Sequence, residues 1–89
     1  LRSKTTRRFR RTFSRLPTPI QDRAREAYRR FVENPNHPGL NFKRVRTTEP
    51  VYSVRVSRDY RALGIRQDDT MIWFWIGPHA EYDDMLSRM

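Results

Sequence analysis

The sequence predicts an α+β fold: an N-terminal two-helix hairpin packed on a twisted antiparallel sheet of about four strands, closed by a short C-terminal helix. Apolar residues recur with a helical period up to Asn34, and the period falls to two from Tyr52 onward. A continuous apolar run, Met71-Ile72-Trp73-Phe74-Trp75-Ile76, then stops at Gly77-Pro78. Helices first and strands afterwards is the order of a sheet with its helices on one side, not of alternating parallel units.

From Arg7 onward, Phe9, Phe13 and Leu16 fall at i, i+4 and i+7, with arginines on the other faces, until Pro17 ends the element. The second helix opens on Thr18 as cap, Pro19 at the first helical position and Gln21 completing a T-x-x-Q capping box. Its apolar stripe is Ile20, Ala24, Ala27, Tyr28 and Phe31, and it runs out at Asn34-Pro35. Asn34-Pro35-Asn36-His37-Pro38-Gly39 is a loop by composition. Tyr52, Val54 and Val56 alternate with Ser53, Arg55 and Ser57, a strand with one apolar and one polar face. Asn41 to Val45 offers a partner strand turned through Thr48-Glu49-Pro50, and Tyr60 to Arg66 a third after the Ser57-Arg58-Asp59 turn. Short turns make these neighbours antiparallel. The apolar run is a central strand covered on both faces, with Trp73 and Trp75 on the same face. A last short helix carries Tyr82, Met85 and Leu86 toward the core. No repeat, low-complexity tract or linker interrupts the chain, so residues 1–89 read as one small domain.

The charge is strongly asymmetric. Nineteen Lys and Arg face ten acids, for a net +9. Arg2, Lys4, Arg7, Arg8, Arg10, Arg11 and Arg15 occur before the first acid. A second block comprises Lys43, Arg44, Arg46, Arg55, Arg58, Arg61 and Arg66 against only Glu49 and Asp59, and the tail from Asp68 turns acidic. Such a field, carried mostly by planar arginine forks, attracts phosphate backbones. An acidic protein partner, or a basic surface with no partner, is the alternative.

Several chemistries drop out. Without cysteine there are no disulfides, thiolate metal sites or cysteine nucleophiles. A reducing, cytoplasmic setting fits that composition. No apolar run approaches the roughly 20 residues of a membrane span, and no secretory leader is visible. Two distant histidines give no metal-ligand spacing, and three isolated glycines make no phosphate-cradling loop. No metal and no cofactor is therefore expected.

The remaining chemistry-bearing residues are few. Histidine is the usual acid–base candidate at neutral pH. His37 reads as loop punctuation, whereas His79 sits where the apolar strand meets the last helix, near Glu81 and Tyr82. It either caps that turn or handles protons. Arg55 and Arg61 fall roughly 5 Å apart across a short antiparallel turn, or one pleat further. Either an anion sits between them or each pairs with Asp59 or Glu81. Trp73 and Trp75 are core residues or a surface for stacking bases.

Taken together, Leu16-Pro17, Phe31, Asn34-Pro35, Leu40, Tyr52-Ser53-Val54-Arg55-Val56, Asp59-Tyr60-Arg61-Ala62-Leu63 and Trp75-Ile76-Gly77-Pro78-His79-Ala80-Glu81-Tyr82 resemble the RelE/ParE toxin superfamily over nearly the whole chain. The resemblance implies a twisted antiparallel sheet with an N-terminal helical hairpin. It also implies a further first strand; only Leu1-Arg2-Ser3-Lys4 remains for it here, so that strand is expected to be cut or absent. RelE-like members cut mRNA on the ribosome, while ParE-like members inhibit DNA gyrase. By resemblance, Arg55, Arg61, His79 and Tyr82 take the nuclease positions, although Ser53 stands where some members carry a catalytic lysine and the His79–Tyr82 spacing differs. The implied activity is a metal-independent endoribonuclease that represses translation, with Lys43, Arg44 and Arg46 gripping RNA. The implied partners are the ribosome and mRNA, and a cognate antitoxin in a toxin–antitoxin hetero-oligomer. A gyrase inhibitor or a non-catalytic nucleic-acid-binding member is the alternative.

Overall fold

The computed structural model describes residues 1–46 and 48–88. The elements are β1 (Arg2–Thr5), α1 (Arg7–Ser14), α2 (Thr18–Glu33), a 3-10 turn at Pro38–Leu40, β2 (Lys43–Arg44), β3 (Val51–Ser57), β4 (Tyr60–Gln67), β5 (Thr70–Pro78) and α3 (His79–Arg88). The α+β class holds, but the sheet has five strands in the order β1-β5-β4-β3-β2, with β1 parallel to β5 and every other pair antiparallel. The extra strand is an edge strand of four residues with no apolar alternation. Its hydrogen bonds to β5, bracketed by Arg2 N–H to Asp69 O and Thr6 N–H to Trp73 O, supply what its side chains do not. Ser3 also accepts a hydrogen bond from the Trp73 indole at 3.2 Å.

The two N-terminal helices form where predicted, and their junction differs in detail. α1 is capped by Thr6, whose Oγ1 accepts from the Phe9 N–H. At the start of α2, Pro17 holds the cap position and makes no side-chain cap, so the Thr18–Gln21 box does not form. Gln21 instead donates to the Phe13 and Leu16 carbonyls. The Phe13 carbonyl also takes the Leu16 N–H where α1 ends, and Gln21 reaches both carbonyls from across the corner. From this junction the helices diverge, α1 over β5 and α2 over β3, with little contact between them.

Both faces of the sheet are covered. Under α1 and α2 lie Val54, Ala62, Met71, Trp73 and Ile76 with Phe31 and Leu40. Phe31 meets Trp73 edge-on at 5.5 Å and Phe42 at 5.0 Å, geometries favoured by ring quadrupoles. Under α3 lie Val51, Leu63 and Trp75, packed by Tyr82 of α3 itself.

The two tryptophans therefore do not share a face, contrary to strict alternation. Leu63 pairs with Trp75 and the next residue, Gly64, with Trp73, so β5 bulges at Phe74 and its parity flips. Trp73 points to the helix pair and Trp75 to α3. Gly64 makes room for this step: a Cβ there would lie 2.7 Å from Trp73 Cε3, 2.8 Å from Met71 Cε and 3.2 Å from the Ile72 carbonyl. Gly64→Ala should therefore cost about 1–3 kcal/mol by overpacking, read from urea unfolding. An unchanged midpoint would mean that both side chains yield freely.

Candidate functional site

Antiparallel pairing sets Arg55 directly opposite Arg61, and Arg61 opposite Gly77, in one row across β3, β4 and β5. Residues in register share a face, and this row continues the face that carries α3. No carboxylate is in ion-pair contact with either arginine among the described residues, so neither Asp59 nor Glu81 forms the expected pair. The two guanidiniums are held differently. Arg61 is partly buried and its Nη1 donates to the carbonyls of Ser57 at 2.7 Å, Tyr60 at 2.9 Å and Arg58 at 3.2 Å. It clamps the β3–β4 turn. Arg55 is exposed, with no hydrogen-bond partner among the described residues.

Burial, and after it the Arg55 charge, lower the Arg61 pKa from its ordinary value, while Tyr82, Asp59 and Asp83 act in the opposite sense. Two like charges thus face each other across the strands with no carboxylate in ion-pair contact among the described residues. An anion bound between the two arginines would favour their charged forms.

His79 reaches the same corner. It is the first residue of α3, and its N–H donates to the Asp59 carbonyl at 2.7 Å, tying the helix start to the turn that precedes Arg61. Its imidazole is half exposed, with Nδ1 3.4 Å from Asp83 Oδ2 one turn on. Tyr82 lies against it at 5.4 Å between ring centres, but the tyrosine is only 7% exposed and packs among Val51, Leu63 and Trp75. So Arg55, Arg61 and His79 converge at one end of the sheet, and Tyr82 lies beneath them as part of the core. The Asp83 partner was missed by sequence reading, although its i+4 spacing from His79 on a helix was the available signal. His37 behaves as loop punctuation, its Nδ1 accepting the Gly39 N–H at 3.0 Å.

Lys43, Arg44 and Arg46 do not form one patch. Lys43 pairs with Ser53, two residues along β3 from Arg55, and shares its face at a distance of about 8 Å by strand geometry. Arg44 pairs with Tyr52 and faces the other way, its Nε donating to the Arg46 carbonyl. Arg46 Nε is buried without a hydrogen-bond partner among the described residues. Among these residues no group of His, Asp and Glu could hold a metal ion, and no helix is long and apolar enough to cross a membrane.

Residues 18–84 match the ParE-like toxin domain. The chain belongs to this toxin family. No curated protein matches the sequence of this toxin domain. Solved structures share its fold: YafQ from Escherichia coli strain BL21(DE3) superposes with a TM-score of 0.73 at 10% identity, covering 92% of this chain and 98% of that one. A chain of the RelB-RelE antitoxin-toxin complex from Methanococcus jannaschii gives 0.70 at 18% identity, over 91% and 95%. The isolated E. coli RelE toxin gives 0.66 at 14% identity, over 98% and 96%. At such identities the likeness is one of fold.

The different anchoring of the toxin domain's two arginines is testable. Arg61→Ala strips a charged donor from three turn carbonyls and should cost about 1.5–3 kcal/mol, whereas exposed Arg55→Ala should stay within about 0.5 kcal/mol. Thermal and urea unfolding of the two variants measure this. Equal melting points would remove the clamp.

Proposed function

We propose that this toxin domain is a ribosome-dependent mRNA endoribonuclease, held in check by a cognate antitoxin in a hetero-oligomer. The observation that carries the proposal is the convergence of Arg55, Arg61 and His79 at one end of the sheet, with no carboxylate paired to either arginine among the described residues. The antitoxin is supported by the RelB-RelE antitoxin-toxin complex among the structures that share the fold.

In this reading the scissile phosphate sits on the Arg55–Arg61 pair. The ribose 2′-OH attacks the adjacent phosphorus, a new O–P bond closes a 2′,3′-cyclic phosphate, and the bond to the 5′ oxygen breaks. His79 accepts the 2′-OH proton and returns it to the leaving oxygen, with Asp83 holding the imidazole from behind. Arg61 is fixed by its carbonyl clamp and meets the developing phosphorane charge without reorganising. Exposed Arg55 follows the phosphate. Lys43 extends the row along the RNA backbone, and Arg44 and Arg46 add charge at the β2 edge. Tyr82 supports the start of α3 from below. The ribosome aligns the message, a task for which the small domain has few groups, and mRNA on the ribosome places the work in the cytoplasm.

A DNA gyrase inhibitor is the second reading. It is favoured by the ParE-like description of the matching family and by the burial of Tyr82, and it has no need of His79.

Expression of the chain alone should arrest growth, and the antitoxin should relieve it. His79→Ala and Arg55→Ala should each lower cleavage by about 10²–10⁴-fold, read by primer extension on mRNA in a translating extract, with melting temperatures preserved. Folded, fully toxic variants with intact message and accumulating relaxed plasmid would replace the nuclease by the gyrase reading. Association with RNA should also weaken with salt. Lys43→Ala combined with Arg55→Ala should flatten the log–log slope by about 0.7 for each phosphate no longer neutralised, and an unchanged slope would move the phosphate surface elsewhere.

A further inference from the structure

β1 stops beside Trp73, so residues 74–78 of β5 have no strand on their outer side, and the end of α1 lies along that edge instead. Between them is a pocket of about 210 Å³. Its walls include Arg15 and Pro17 just past α1, Tyr60 and its register partner Pro78, Trp75, and Glu81 of α3. Four of these carry polar groups that the fold does not use. The Arg15 guanidinium, the Tyr60 hydroxyl, the Trp75 indole N–H and the Glu81 carboxylate make no hydrogen bond or ion pair among the described residues. Trp73, by contrast, gives its indole N–H to Ser3. Arg15 and Glu81 carry opposite charges on the walls of one small pocket and do not pair. The pocket also borders the arginine corner. Gly77, directly opposite Arg61, is on its wall, so it begins where the row Arg55–Arg61–Gly77 ends, about 10 Å from Arg55 by strand spacing.

We propose that this pocket takes a guanine base, the one next to the phosphate held by Arg55 and Arg61, and so selects where the message is cut. That the base belongs to a message rests on the nuclease reading above; the preference for guanine rests on the pocket alone. The volume is below the roughly 300–1,000 Å³ of sites for drug-sized ligands, which suits a single planar base. Tyr60 and Pro78, side by side across β4 and β5, offer ring surface for it to stack on. A bare anion would meet Glu81 and a bare cation Arg15, so the occupant has to present acceptors to one wall and donors to the other. Guanine does so. Its O6 and N7 accept the two parallel N–H bonds of an arginine fork. Its N1–H and N2–H donate to the paired oxygens of a carboxylate. Adenine carries a donor beside N7 and would leave half of the Arg15 fork unmet, and cytosine and uracil have no N7. Each wrong base thus strands a polar group that the right one satisfies. The Trp75 N–H and the Tyr60 hydroxyl supply further contacts at the same wall.

Two measurements on the whole chain separate the base from the message. Tryptophan emission titrated with GMP, AMP, CMP and UMP reads the pocket without RNA, because Trp75 is on its wall. GMP should bind at least about tenfold more tightly than the other three, the discrimination one bidentate base contact supplies. Primer extension on messages that differ only in the nucleotide beside the cut reads the same preference as a ratio of cleavage, again about tenfold for guanine over adenine. Glu81→Gln and Arg15→Ala should each erase both preferences. Arg15→Lys keeps the charge and loses the fork, and it should erase them too. The remote Glu26→Gln on α2 also removes one exposed carboxylate and should leave both preferences intact. Arg15 and Glu81 are exposed, so melting temperatures should be preserved in every variant. Equal binding of the four mononucleotides, a preference for another base, or a guanine preference that survives the pocket variants overturns the proposal. A GMP preference with no message cut removes the nuclease reading and leaves the guanine pocket standing. Cleavage with no base preference removes only the pocket.

Discussion

One extra residue in β5, opposite the step from Leu63 to Gly64, decides what each side of the sheet is made of. Without the bulge, Trp73 and Trp75 would both point one way and leave the other layer without a large anchor. With it, Trp73 meets Phe31 under α2 while Trp75 joins Leu63 and Tyr82 under α3. Two small cores then share a single strand as their common wall. A domain of this size buries only about 60% of the surface of its unfolded chain, so one apolar run that fills both layers makes a few large residues serve two cores. The bulge also sets where α3 starts, because Gly77 pairs with Arg61 and His79 follows two residues later.

The positive charge divides into structural and available cations. Arg61 closes a turn, Arg10 bonds to Thr5, and Arg44 bonds to the Arg46 carbonyl. Arg55 and Lys43 stand on the α3 face with their heads exposed, while Lys4, Arg25 and Arg29 border an apolar wedge between α1 and α2 on the other face. A net charge of +9 is thus partly engaged inside the fold, and the rest is split between two surfaces of different character. One is polar and convergent, and the other apolar with a charged border.

Much of the fold was legible in the sequence because period and punctuation act locally. The change from helical spacing to alternation placed α1, α2 and β3, and Gly77-Pro78 marked the end of β5 and the approach to His79. The Arg55–Arg61 pairing followed from a short turn between two strands. What escaped depends on distant partners. β1 has no pattern of its own and exists through β5. The bulge at Phe74 hides inside a uniformly apolar run. Lys43 and Arg44 face opposite ways because β2 takes its register from β3, and a slip of one residue exchanges the faces. Gln21 followed a familiar capping spacing and was recruited by the neighbouring helix instead. Tyr82 received its site role from the family resemblance, while the apolar stripe of the last helix already turned it toward the core, where its ring is 7% exposed.

The pairing of β1 with β5 joins the start of the chain to one of its last strands, Arg2 lying beside Thr70 and Thr5 beside Trp73. Pairings that close so long a loop form slowly, since the chain entropy is lost before the new bonds offset it. During synthesis, the β1 edge and the side of α1 that rests on β5 have nothing to dock against until β5 has left the ribosome. The corner of Arg55, Arg61 and His79 is completed later still, when the first turn of α3 emerges and ties back to Asp59. The sheet and this corner thus take shape together, each waiting on the strand and helix that follow β4 in the chain.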